Sequence, residues 1–152
     1  GGLRAILNFG HTIGHAIEAT SGYGRYLHGE AISIGQVAAA RISAARLGFP
    51  HDDVDRVARL LERTGLPTAI SLSDAQFSGL MKAMRVDKKV RAGELRFVLA
   101  RRIGGVEHGV PVTEPEIRDS LGFSSTTTPG KSPAKRSGKS SRARNRKRKS
   151  TA

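Results

Sequence analysis

The stretch Arg4-Ala5-Ile6-Leu7-Asn8-Phe9-Gly10-His11-Thr12-Ile13-Gly14-His15-Ala16-Ile17-Glu18 is apolar nearly all round and predicts a buried helix from Leu3 to about Thr20. On a straight helix advancing about 100° per residue, Arg4, Asn8, His11, His15 and Glu18 fall within a sector of roughly 80°. A surface helix carries a wide face of Lys and Glu. This sector is narrow and built from hydrogen-bonding and ligand-type groups, as in a helix that is buried on most sides and lines a wet cavity on one. Gly10 and Gly14 each cost such a helix about 1 kcal/mol relative to Ala. They make sense where another backbone or a ligand comes close. The plain alternative is a satisfied polar seam between packed helices. For one His alone that is the better reading; one Arg, one Asn and two His in a single sector favour a site.

His11 and His15, four residues apart, can point at one metal ion. Thr12 and Ile13 leave no glutamate in the general-base position, so His11-Thr-Ile-Gly-His15 is not a zinc-protease signature. His28-Gly29-Glu30 follows at the expected start of a second helix. Two imidazoles and a carboxylate form a common catalytic zinc set. The sequence leaves open which carboxylate joins them; Glu18 and Glu30 are the local candidates, and each reads equally as an outer partner of a ligand or as a helix-end charge. His51 and His108 sit in loop-like surroundings and receive no role. Asp87-Lys88-Lys89 is a solvated surface by default, and a source of cations for a phosphate or carboxylate otherwise.

Outward from this stretch, Gly22-Tyr23-Gly24 marks a turn, and helices are predicted over about His28 to Leu47, Asp52 to Arg63 and Ser73 (as N-cap) to Met84. Leu95 to Leu99 and Val106 to Val112 read as a hairpin turning at Gly104-Gly105. Thr113 opens a last helix, with Glu116 placed for a capping box. There is no internal repeat. The expected fold is mainly α, a helical bundle with one small β-hairpin.

The chain has 152 residues with 26 Lys and Arg against 13 Asp and Glu, a net charge of +13. Ten of the basic residues and no acid fall in 123–152, so residues 1–122 hold 16 basic and 13 acidic side chains, a net of +3. The rest of 123–152 is largely Ser, Thr, Pro and Gly, a composition that cannot bury enough apolar surface to offset ordering entropy. Two parts are therefore expected: a folded domain over 1–122 and a disordered Lys/Arg-rich tail over 123–152. Non-specific, salt-dependent nucleic-acid binding by the tail is the weaker reading beside a solubilising extension. The chain has no Cys, which excludes a disulfide scaffold and a Cys-ligated zinc finger. No apolar run reaches the roughly 18–20 residues of a membrane helix, and no membrane role is expected. No signal-peptide pattern and no initiator Met is present, an expectation of the downstream end of a longer cytoplasmic protein.

Arg4 to Glu18, Gly22-Tyr-Gly24 and Leu27-His28-Gly-Glu30-Ala31 together resemble the 3-dehydroquinate synthase family. Asp87-Lys88-Lys89-Val90, Gly93-Glu-Leu-Arg-Phe-Val-Leu99 and Ile103-Gly104 are similar to that family's later segment, and the likeness covers about residues 2–122. The resemblance implies the C-terminal helical domain of a phosphate-eliminating lyase of the shikimate pathway, which makes 3-dehydroquinate from a phosphorylated seven-carbon sugar acid. It implies transient use of NAD and a divalent metal, zinc or cobalt. By the same resemblance His11 and His28 match metal ligands, and His15 an acid/base residue beside the metal. Arg4 and Asn8 match substrate contacts, and one of Lys88 and Lys89 matches a substrate-binding lysine. The family's NAD-binding domain, its glutamate metal ligand and several substrate-binding lysines belong upstream. An incomplete helical domain, inactive alone, weak in metal binding and prone to association through exposed Ile and Phe, is therefore expected, although the full-length family is homodimeric. Two alternatives remain open: a related sugar-phosphate cyclase, and a non-enzymatic helical remnant with a nucleic-acid-binding tail.

Overall fold

The computed structural model describes residues 2–22, 24–87 and 94–123. The element order is α1 (Gly2–Ala5), a 3-10 turn (Ile6–Asn8), α2 (His11–Thr20), α3 (His28–Leu47), α4 (His51–Arg63), α5 (Asp74–Asp87), β1 (Leu95–Arg102), β2 (Gly105–Val112) and α6 (Glu114–Ser120). The fold is mainly helical, with one antiparallel two-stranded sheet among the described residues. None of the described helices is long and apolar enough to cross a membrane.

α3 is the axis of the domain. It packs against α2, α4, β1 and α6, while α2 also packs on α5. Its run of Ala, Ile, Ser and Gly is buried on almost every side from Ala31 to Ser43, so small residues let several neighbours approach one helix closely. Leu27 N–H donates to the Glu30 carboxylate at 2.8 Å and closes the helix start. Gly48, with φ +70°, ends it. The main core joins Ile13 and Ile17 of α2, Ile34 of α3, Phe77 and Leu80 of α5, Leu99 of β1 and Ile117 of α6. A smaller cluster of Ala40, Phe49, Val54 and Ala100 lies under α4.

The single helix predicted from Leu3 to Thr20 is interrupted. Phe9 leaves helical geometry with ψ 120°, and Gly10 is left-handed with φ +80°. The cause is a backbone crossing. A Cβ at Gly35 of α3 would collide with the Gly10 carbonyl oxygen and come within 2.8 Å of Gly14 N. A Cβ at Gly10 would come within 2.5 Å of Gln36 N. The glycines therefore serve close approach, as their cost to a helix suggested, and the approach breaks the helix at its N-terminal side. All-round burial does not extend before the break: Ile6 is 45% and Leu7 74% exposed.

The other elements follow the sequence closely. Ser73 Oγ accepts from Gln76 N at 3.2 Å, while Ser73 N donates to Gln76 Oε1 at 2.8 Å, so the N-cap forms as expected. Glu116 accepts from both N and Oγ1 of Thr113 at 2.8 Å. β1 runs three residues further than predicted, and the reversal is at Ile103-Gly104, with Gly104 at φ +79°. A register shift between Ala100 and Arg102 lengthens β1 on one side. There Ala100 N–H donates to Ser43 Oγ at 2.9 Å, and that hydroxyl donates to Ala39 O at 2.6 Å. Lys88, Lys89 and the basic segment from residue 124 onward lie outside the described residues.

Candidate metal centre

α2 begins with His11 and carries His15 one turn later; α3 begins with His28. The chain between them turns back through Gly22 and Gly24, both with positive φ, so α2 and α3 run antiparallel and the start of α3 lies beside the second half of α2, where Glu18 meets His28. Ring centroids are 5.3 Å apart for His11 and His15, 6.0 Å for His11 and His28, and 5.6 Å for His15 and His28. One ring nitrogen from each lies within 4.8 Å of the others. His11 is half-buried, while His15 and His28 are exposed.

His28 and His11 are each tied at Nδ1. His28 Nδ1 is 2.9 Å from Glu18 Oε2, and His11 Nδ1 is 3.3 Å from the Phe9 carbonyl oxygen. The break at Phe9–Gly10 allows the second contact, because a helical Phe9 carbonyl would instead point along the axis. Glu30, the other carboxylate candidate, is engaged at the Leu27 N–H.

A cluster of three imidazoles suits a borderline cation such as zinc or cobalt, which three protein ligands hold while leaving positions open for substrate. Outer partners on the ring nitrogens are the usual accompaniment of such ligands. On the chemistry of the donors present, the residues fit a divalent metal.

The structure brings together His11, His15 and His28, with Glu18 as the outer carboxylate. The continuous helical phase that would align Arg4 and Asn8 with them is lost at Phe9–Gly10. Arg4 on α1 and Asn8 in the 3-10 turn are exposed on the N-terminal side of the break. His51 and His108 are exposed and outside the cluster. The Phe9 carbonyl escaped the sequence reading because a backbone acceptor has no side-chain signature; the following glycine was its only trace. A cavity of about 580 Å³ lies elsewhere, between Ile6, Phe9, Phe49, Val57 and the hairpin turn, and its walls are mostly apolar.

Residues 1–90 match the model of the family described as 3-dehydroquinate synthase C-terminal. The chain is 46% identical over 121 residues to the 3-dehydroquinate synthase of Synechococcus sp. (strain CC9605), covering 80% of this chain and 32% of that protein. It is 55% identical over 105 residues to the 3-dehydroquinate synthase of Acidithiobacillus ferrooxidans, covering 68% of this chain and 28% of that one. The chain thus spans about a third of the length of the curated relatives it matches. In structure it is similar to a 2-epi-5-epi-valiolone synthase from Streptomyces hygroscopicus with NAD+ and Zn2+ bound, with a TM-score of 0.67 at 25% identity over 80% of this chain and 33% of the other. It is also similar to a 2-deoxy-scyllo-inosose synthase complexed with carbaglucose-6-phosphate, NAD+ and Co2+, with a TM-score of 0.64 at 30% identity over 76% of this chain and 34% of the other. With a family match across more than half of its residues, an interrupted His-bearing helix and a buried Ala-rich axis, the chain belongs to the 3-dehydroquinate synthase C-terminal family.

Proposed function

We propose that residues 1–122 are the metal- and substrate-binding helical part of a 3-dehydroquinate synthase, with 123–152 a separate basic tail. The reaction is the carbon–oxygen lyase step that converts 3-deoxy-D-arabino-heptulosonate 7-phosphate to 3-dehydroquinate and phosphate. The observation that carries this reading is the convergence of His11 and His15 of α2 with His28 at the start of α3. Identities of 46% and 55% to proteins named 3-dehydroquinate synthase favour that substrate over those of the related cyclases, where identity is 25% and 30%.

His11 and His28 would hold a divalent cation, zinc or cobalt, which when bound would supply Lewis-acid activation of a substrate hydroxyl for its transient oxidation by NAD. NAD is held mainly by a nucleotide-binding domain of the complete enzyme. His15, exposed and one helical turn from His11, takes a proton from the substrate and returns it, work that imidazole does near neutral pH. Arg4 and Asn8 bind substrate polar groups from the N-terminal side of the break. Lys88 or Lys89 supplies a cation to the phosphorylated sugar acid.

The test is a hybrid enzyme. Residues 1–122 replace the matching third of the Synechococcus enzyme, and phosphate release is followed with NAD, zinc and substrate. Turnover by the hybrid and its loss in His11→Ala are expected; a folded hybrid that releases no phosphate contradicts the proposal. The 152-residue chain alone is expected to be inactive, and robust turnover by it contradicts that part.

A further inference from the structure

Glu18 and His28 belong to different helices, ten residues apart in sequence, yet Glu18 Oε2 lies 2.9 Å from His28 Nδ1. An ionised carboxylate only accepts hydrogen bonds, so the hydrogen of this contact belongs to Nδ1. A neutral imidazole carries one N–H, so Nε2 of His28 is left with its lone pair free for a cation. The Phe9 carbonyl, which also can only accept, imposes the same state on His11. Two unrelated acceptors, one backbone and one side chain, thus select the same tautomer in two rings of one cluster.

Stability does not account for Glu18. The two side chains are 57% and 43% exposed, and exposed pairs of this kind contribute little to folding. Their arrangement matters instead for direction: the carboxylate fixes where the His28 ring points at the first residue of α3, where no preceding helical turn constrains it.

We propose that Glu18 is a positioning residue, holding His28 in its Nδ1–H tautomer so that Nε2 is the atom presented to a divalent cation. The consequence for cation affinity rests on the metal reading given above, whereas the tautomer does not.

Long-range 1H–15N NMR on the 15N-labelled 152-residue chain, metal-free, reads the tautomer, with the His28 signal assigned by its loss in His28→Gln. Co2+ titration of the same samples reads affinity. The wild-type chain shows the Nδ1–H form at His28. Glu18→Ala shifts it toward the other tautomer and weakens Co2+ binding by about 10–100-fold. Glu18→Gln, which keeps a carbonyl acceptor, falls between. The thermal midpoint of each variant stays near that of the wild type, which separates positioning from folding. An Nε2–H tautomer at His28 in the wild type, or an unchanged tautomer in Glu18→Ala, overturns the proposal. Equal Co2+ affinity in wild type and Glu18→Ala overturns it as well. Failure of the metal reading has a different signature: the wild type takes up no Co2+ while the tautomer still follows Glu18, which supports the Glu18–His28 coupling.

Discussion

Gly35 of α3 and Gly10 at the head of α2 meet backbone to backbone, with no room for a methyl group between them. This crossing sets the candidate site. It stops the N-terminal helix at Phe9, starts a new one at His11, and seats the head of α2 against Gly35 and Gln36, two turns into α3. Gly35→Ala should therefore destabilise the chain by about 1–3 kcal/mol or more, the usual cost of overpacking a tight contact. Urea unfolding measures it. A variant as stable as the wild type would mean that the crossing is looser than described.

Ser43 is buried, and its hydroxyl serves the main chain of both α3 and β1. Ser43→Ala strands the Ala100 N–H at the register shift of the hairpin. A buried donor without a partner costs about 1–3 kcal/mol. The thermal midpoint should fall accordingly, and hydrogen exchange at Ala100 should quicken more than at Phe97. Unchanged exchange at Ala100 would contradict this role for the hydroxyl.

Glu116 titrates below the ordinary carboxylate value of 4.5. Partial burial is the largest single influence and pushes it up, but the Thr113 backbone and hydroxyl hydrogen bonds and the nearby Arg46 together outweigh it. A carboxyl group with a lowered folded value stabilises the fold fully above its unfolded value, and that stabilisation is lost as pH falls through the folded value. The stability difference between wild type and Glu116→Gln should be largest near about pH 7 and shrink by about pH 3. Denaturant midpoints at the two pH values check it. A gap that is constant or grows in acid has the wrong sign.

The basic segment over 123–152 holds ten Lys and Arg and no acid. If it binds phosphate backbones, affinity for DNA falls steeply with salt and disappears when these residues are deleted. Binding measured at two salt concentrations, with and without the segment, decides between this and a solubilising extension. The solubilising reading predicts no salt-sensitive loss on deletion.

Much of this fold was legible because side-chain pattern and local capping agree. His28 to Leu47 carries its stop at Gly48, and Ser73–Gln76 and Thr113–Glu116 carry their own caps. The interruption at Phe9–Gly10 was not legible, since its cause lies in Gly35, 25 positions away, and a single helix satisfied every local rule. The His cluster was half visible: i, i+4 spacing joins His11 to His15, but only the return of the chain through Gly22 and Gly24 brings His28 to them. Glu18 stood as one of two carboxylates with no way to choose, and the choice came from the helix phase and the position of His28. Arg4 and Asn8 drew their alignment from a helix that does not continue.

Co2+ titration of the 152-residue chain, followed by absorption, tests the central claim most directly. The account predicts one equivalent bound, with the spectrum weakened by His11→Ala or His28→Ala and lost when both are replaced. A double variant that binds Co2+ as the wild type does would contradict the claim that these imidazoles share one cation.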